Sequence, residues 1–159
     1  MSNELIAMLA HLAHQAAFGA VAAAGFGVLF NFGWRSLAWC AVAGALALGI
    51  RTFSQTSGAS LEAATFLAAI GTSCIAILAR RWLGVACNAI ALAGCIPMVP
   101  GAFFGQAMIG YISVAADTSG QSVEQLVASA QAFIRVVSIV GAIGAGLAIP
   151  AYLLRSRQF

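Results

Sequence analysis

Between Trp82 and Ala116 the chain runs for 35 residues without Asp, Glu, Lys or Arg. As one α-helix that run would be about 52 Å long, whereas the hydrocarbon core of a bilayer is about 30 Å thick. Something must interrupt it, and Ile96-Pro97-Met98-Val99-Pro100-Gly101 does. Pro97 has no N–H for the carbonyl of Ala93 and clashes with it, and Pro100 does the same to Ile96. The residue before each proline is pushed away from α geometry, and Gly101 permits backbone angles that other residues resist. A broken helix frees carbonyls on one side and N–H groups on the other, which hydrocarbon tolerates only where protein or a wet cavity satisfies them. Transporters place substrate at such breaks, with a half-helix N-terminus facing an anionic group. The bland alternative is a packing kink, since proline is frequent in membrane helices.

Hydrophobic residues make up 62% of the chain and charged ones 7%, with a mean hydropathy of +1.00; soluble domains sit near roughly 45–50% and 25%. The predicted fold is an all-α integral membrane protein, a single transmembrane domain over residues 1–159. It is a bundle of about five transmembrane helices, one of them broken at Pro97, Pro100 and Gly101. The net charge of +3 comes from arginines placed singly or in pairs, so no basic stripe supports nucleic-acid binding. Cys40, Cys74, Cys87 and Cys95 lie in apolar runs without metal-ligand or CxxC spacing, as buried small hydrophobes do. The start Ser2-Asn3-Glu4 is that of a capped helix and not of a cleavable signal peptide.

The expected spans are 5–32, 35–52, 61–79, 83–116 (broken at 97–101) and 126–154. Gly33 is expected to end the first and Trp34-Arg35 to anchor it at the interface. Asn31, a polar amide beside the apolar region, either caps that turn or meets a substrate. His11 and His14, three apart, share a helix face that suits either the headgroup level or a proton relay. The second span is short, with 15 residues from Ser36 to Ile50 between Arg35 and Arg51, and crosses if both arginines snorkel. Thr52 to Gly58 reads as a polar loop. The third span opens at Ser60 and Glu62, carries Thr65, Thr72 and Ser73, and stops at Arg80-Arg81-Trp82; Gly71 would admit a close neighbour. Asp117 to Gln121 reads as a turn, with a capping box from Ser122 to Gln125. Arg135 is expected to snorkel rather than clamp an anion, and Gly141, Gly144 and Gly146 to form a small-residue packing face.

Five spans put Arg35, Arg80, Arg81, Arg155 and Arg157 on one side, with Asp117 and Glu124 opposite, where only Arg51 and at most Arg135 also fall. The positive-inside rule then sets the N-terminus out and the C-terminus in the cytoplasm. No Ser/His/Asp arrangement, phosphate loop or HExxH is present, so the chain is expected not to be an enzyme and to need no cofactor or metal. The residues leave two readings: half of a transport path, or a scaffold or regulatory membrane subunit.

The chain resembles the threonine/serine exporter family, in its short C-terminal-half type. The residues that carry this are Phe30-Asn31, Arg35-Ser36-Leu37, Trp39-Cys40-Ala41, Thr56-Ser57-Gly58, the Pro97 to Gly101 core, and Ser138-Ile139-Val140-Gly141 running to Ile149-Pro150. The resemblance implies a multi-pass protein of the bacterial inner membrane. It also implies the small subunit of a two-component secondary exporter, whose larger membrane partner carries the N-terminal half. The substrates implied are small and bear carboxylates: threonine and serine, or a C4-dicarboxylate such as succinate. The candidate substrate-binding residues are Asn31, Pro97, Pro100, Gly101, Ala102 and Phe103; the last three would open a half-helix whose N-terminus favours a carboxylate.

Overall fold

The computed structural model describes residues 2–83, 88–116 and 123–155. The expected turn at Asp117 to Gln121, the capping residue Ser122, and Cys87 and Arg157 lie outside them. Among the described residues the structure is all-helical: α1 (Ser2–Leu29), α2 (Trp34–Thr56), α3 (Leu61–Leu83), α4 (Asn88–Cys95), a 3₁₀ turn (Ile96–Met98), α5 (Gly101–Ala116) and α6 (Val123–Arg155). Four of these helices are long and apolar enough to cross a membrane, and α4 with α5 forms a bent pair that would make a fifth span. The chain divides into two compact units, Met1–Met98 with Ala142–Phe159, and Val99–Gly141.

In the first unit the core is built of small side chains. Cys40, Ala43, Ala76, Ala79, Ile90, Ala91 and Ala93 form its centre, with Phe32, Trp39, Ile75 and Leu147 packed against it. Large apolar residues such as Leu5, Ile6, Val21 and Leu29 are exposed. That arrangement inverts a soluble protein for a physical reason. Lipid tails are as apolar as leucine, so helices associate through close packing of small residues and leave bulky ones to the lipid. At the α1–α2 crossing Gly19 and Gly44 face each other so closely that a Cβ on either would strike the other's carbonyl. A Cβ on Gly94 of α4 would come within 2.8 Å of both Ala43 Cβ and Thr72 Cγ2, and one on Gly146 of α6 within 2.8 Å of the Phe66 carbonyl oxygen.

Gly71 admits a close neighbour as expected, for a Cβ there would lie 2.5 Å from the tip of Ile50. Two other expected packing glycines behave differently: of the three in α6 only Gly146 is buried, while Gly141 and Gly144 are exposed. The hydroxyls of α3 are satisfied locally: Thr65 donates to the Leu61 carbonyl at 2.7 Å and Thr72 to that of Ala68 at 2.8 Å. Ser73 reaches across to donate to the Leu147 carbonyl of α6 at 3.2 Å.

Helix ends explain two departures from the expected boundaries. Asn31, not Gly33, turns the chain after α1: its φ is +57°. The Phe32 N–H bonds the Gly27 carbonyl and the Asn31 N–H that of Val28, both at 2.9 Å, which is a Schellman motif with Asn in the left-handed position. Gly33, extended at φ −61° and ψ 153°, precedes α2 as its N-cap. The stretch expected as a polar loop from Thr52 is instead the last turns of α2, which continues to Thr56. There Thr56 and Ser57 donate back to the Phe53 carbonyl at 2.8 and 2.9 Å, and Gly58, at φ +88°, takes the left-handed position of a second Schellman motif. Ser60 then caps α3, its Oγ accepting from the Ala63 N–H at 3.2 Å.

In the second unit α5 packs on the first part of α6. A Cβ on Gly110 would collide with Ser129, which is buried and donates to the Gln125 carbonyl at 2.7 Å. The Tyr111 and Phe133 rings meet edge to face at 6.5 Å.

Candidate functional site: the interrupted span

The break forms as the two prolines dictate. α4 stops at Cys95, the chain tightens into a 3₁₀ turn containing Pro97, and α5 restarts at Gly101. Pro97 and Pro100 donate no backbone bond, so the α-helix cannot run through, and the short 3₁₀ turn carries the chain from one helix toward the next. Pro100 stands directly before α5, and its carbonyl accepts the Phe104 N–H at 3.1 Å, while the Gly101 N–H turns back to the Val99 carbonyl at 2.9 Å. The fixed φ of proline suits a helix start. The N–H groups of Ala102 and Phe103, in the first turn, have no intrahelical acceptor, as at every helix N-terminus.

Gly101 does not use the freedom expected of it. It lies outside the left-handed region, and a Cβ there would meet nothing within 4 Å. Glycine at this point leaves the first turn of α5 uncovered, and Gly101 and Ala102 are both exposed. Pro100 is buried, Pro97 half-buried, and Met98 wholly inaccessible at 0%.

Of the six candidate residues, Pro97 to Phe103 are gathered by chain continuity at the break. Asn31 is exposed in the α1–α2 turn, where its left-handed backbone already accounts for an asparagine. Arg135 is exposed. Its guanidinium also lies 5.3 Å from the centroid of the Phe103 ring, a cation–π distance. His14 stacks edge-on against Phe18 at 4.6 Å, and both it and His11 are exposed.

One residue was missed. Arg51 Nη1 donates to the Met98 carbonyl at 3.4 Å, so a cation from α2 stands where the break ends the α4 segment. The expected polar loop hid it, because a helix ending at residue 52 makes Arg51 a terminal, snorkelling side chain. The helix actually runs on to Thr56. The signal was available in Gly58, a left-handed stop six residues beyond Thr52.

The second unit holds a groove of about 360 Å³ between α5 and α6, lined by the polar Gln106, Gln125 and Ser129 and by the apolar Ile109, Ala128 and Ala132. Among the described residues no cluster of three or more His, Cys, Asp or Glu could hold a metal ion.

A family model described as "Threonine/Serine exporter, ThrE" matches residues 15–153. The chain belongs to the threonine/serine exporter family. This is a family of transporters, and the apolar helices make the exporter chain a multi-pass membrane protein. The matched segment contains the whole break, Asn31, Arg51 and Arg135, and leaves out His11 and His14. No solved structure matches the exporter chain.

Proposed function

We propose that the chain is the small subunit of a two-component secondary exporter of small carboxylate-bearing metabolites, threonine and serine or a C4-dicarboxylate such as succinate. A larger membrane subunit carries the other half of the path. The observation that carries this reading is the break itself: inside an exporter-family segment, an uncharged span stops at Met98 and restarts at Gly101. Its restart exposes the first turn of α5, whose free N–H groups and positive dipole end favour a carboxylate. Pro97, Pro100, Gly101, Ala102 and Phe103 line the path in this reading, and alternating access carries substrate past them. The chain sits in the bacterial inner membrane with five spans, its N-terminus outside and its C-terminus in the cytoplasm, as the arginine distribution favours.

Efflux from preloaded cells tests the proposal. Labelled threonine and labelled succinate are compared in cells expressing this chain alone, the large subunit alone, or both. Efflux that requires the pair supports an obligate two-part exporter and names its substrate. Equal efflux from the large subunit alone makes this chain a scaffold or regulator.

A further inference from the structure

We infer that Arg51 is a substrate-binding residue, one whose guanidinium takes the carboxylate of the exported molecule. The inference rests on the exporter reading and adds to it a residue and a charge. Arg51 lies inside the 23-residue α2, five residues before its end at Thr56. A cation within a span persists where it is paired or faces a wet interior. Arg51 is half-buried, and its one partner among the described residues is the Met98 carbonyl; no carboxylate there pairs with it.

A carbonyl left over from a broken helix needs only a neutral donor. Glutamine or serine would serve without bringing a charge into the span. Arginine brings five N–H donors in a planar fork that matches a carboxylate with two parallel bonds. The bond to Met98 engages one nitrogen and, at 3.4 Å, is long for its type. A carboxylate offers that fork an ionised acceptor and two parallel bonds, which the single neutral carbonyl of Met98 does not. Carboxylate therefore competes well for the fork, while the Met98 carbonyl holds Arg51 in place between cycles.

The test uses the full chain reconstituted with its large subunit in proteoliposomes. Counterflow of labelled succinate and of labelled threonine is measured against their unlabelled acids and against succinamide and threoninamide. In Arg51→Gln, which keeps a donor for Met98, the half-saturating concentration rises about 10- to 100-fold while the maximal rate changes little, because one charge-assisted pair is lost. The advantage of acid over amide disappears with it. Arg51→Lys, a cation without the fork, falls between. An Arg51→Gln protein with unchanged half-saturation and unchanged preference for acid overturns the inference and leaves Arg51 a cap of the break, with the exporter reading intact. If Arg51→Gln does not reach the membrane, Arg51→Lys decides the matter on the same measurement. Wild-type vesicles that move neither compound overturn the exporter reading, and this inference with it.

Discussion

The guanidinium of Arg135 lies over the ring of Phe103, 5.3 Å from its centroid, and so ties the first turn of α5 to α6. Exposed pairs of this kind contribute about 0.5–1 kcal/mol. Arg135→Gln should lower thermal stability in detergent by no more than that. In a double-mutant cycle with Phe103→Leu the two losses should not add. Full additivity would mean the contact carries no energy.

Gly44 shows how a membrane core is closed. Its missing side chain lets α1 and α2 meet at Gly19 and Ala23. Gly44→Val should cost about 1–3 kcal/mol, because the added atoms must push backbone rather than a flexible tip. Gly25→Ala, at a position where a Cβ meets nothing within 4 Å, serves as the control. Thermal denaturation of the purified chain reads both, and equal effects would remove the crossing from the account.

Asn31 is separable into backbone and side chain. Asn31→Gly keeps the left-handed turn and removes the amide, so stability and efflux should both hold. Asn31→Val forces a β-branched residue to positive φ and should cost about 1–2 kcal/mol. Loss of efflux in Asn31→Gly at normal stability would instead return the amide to the transport path.

Pro100→Ala restores an N–H that the Ile96 carbonyl can accept, and so favours continuing the helix through the break. Efflux should fall by about tenfold or more while the amount of protein in the membrane is unchanged. Failure of assembly in this variant would assign Pro100 to packing.

Cys40 and Cys95 are buried, whereas Cys74 is exposed on α3. With Cys74 and Cys87 replaced by serine, a membrane-impermeant maleimide should label neither Cys40 nor Cys95 at rest. Cys95, beside the break, should become reactive while the exporter is cycling in the presence of substrate. A Cys95 that stays inert during measured efflux would favour the scaffold role.

Much of the break was legible in the residues because its causes are covalent. Pro97 and Pro100 lack N–H groups wherever they stand, so an interruption between them needs no partner to predict. Gly101 was read for the wrong property, since its role in the structure is the absence of a side chain over α5 and not an unusual φ. Arg51 escaped because its meaning depends on Met98, 47 residues away.

By itself the sequence determined the membrane class, the helices and the point where one of them breaks. These follow from hydropathy, segment length and the chemistry of proline, which act within a few residues. The tertiary structure alone decided which small residues meet, why Gly19, Gly44, Gly94 and Gly146 are contacts while Gly141 and Gly144 are not, and where Arg51 is spent. In a soluble helix the apolar stripe marks the buried face. In this chain lipid-facing and packed faces are both apolar, so periodicity cannot tell them apart, and only the packed helices do.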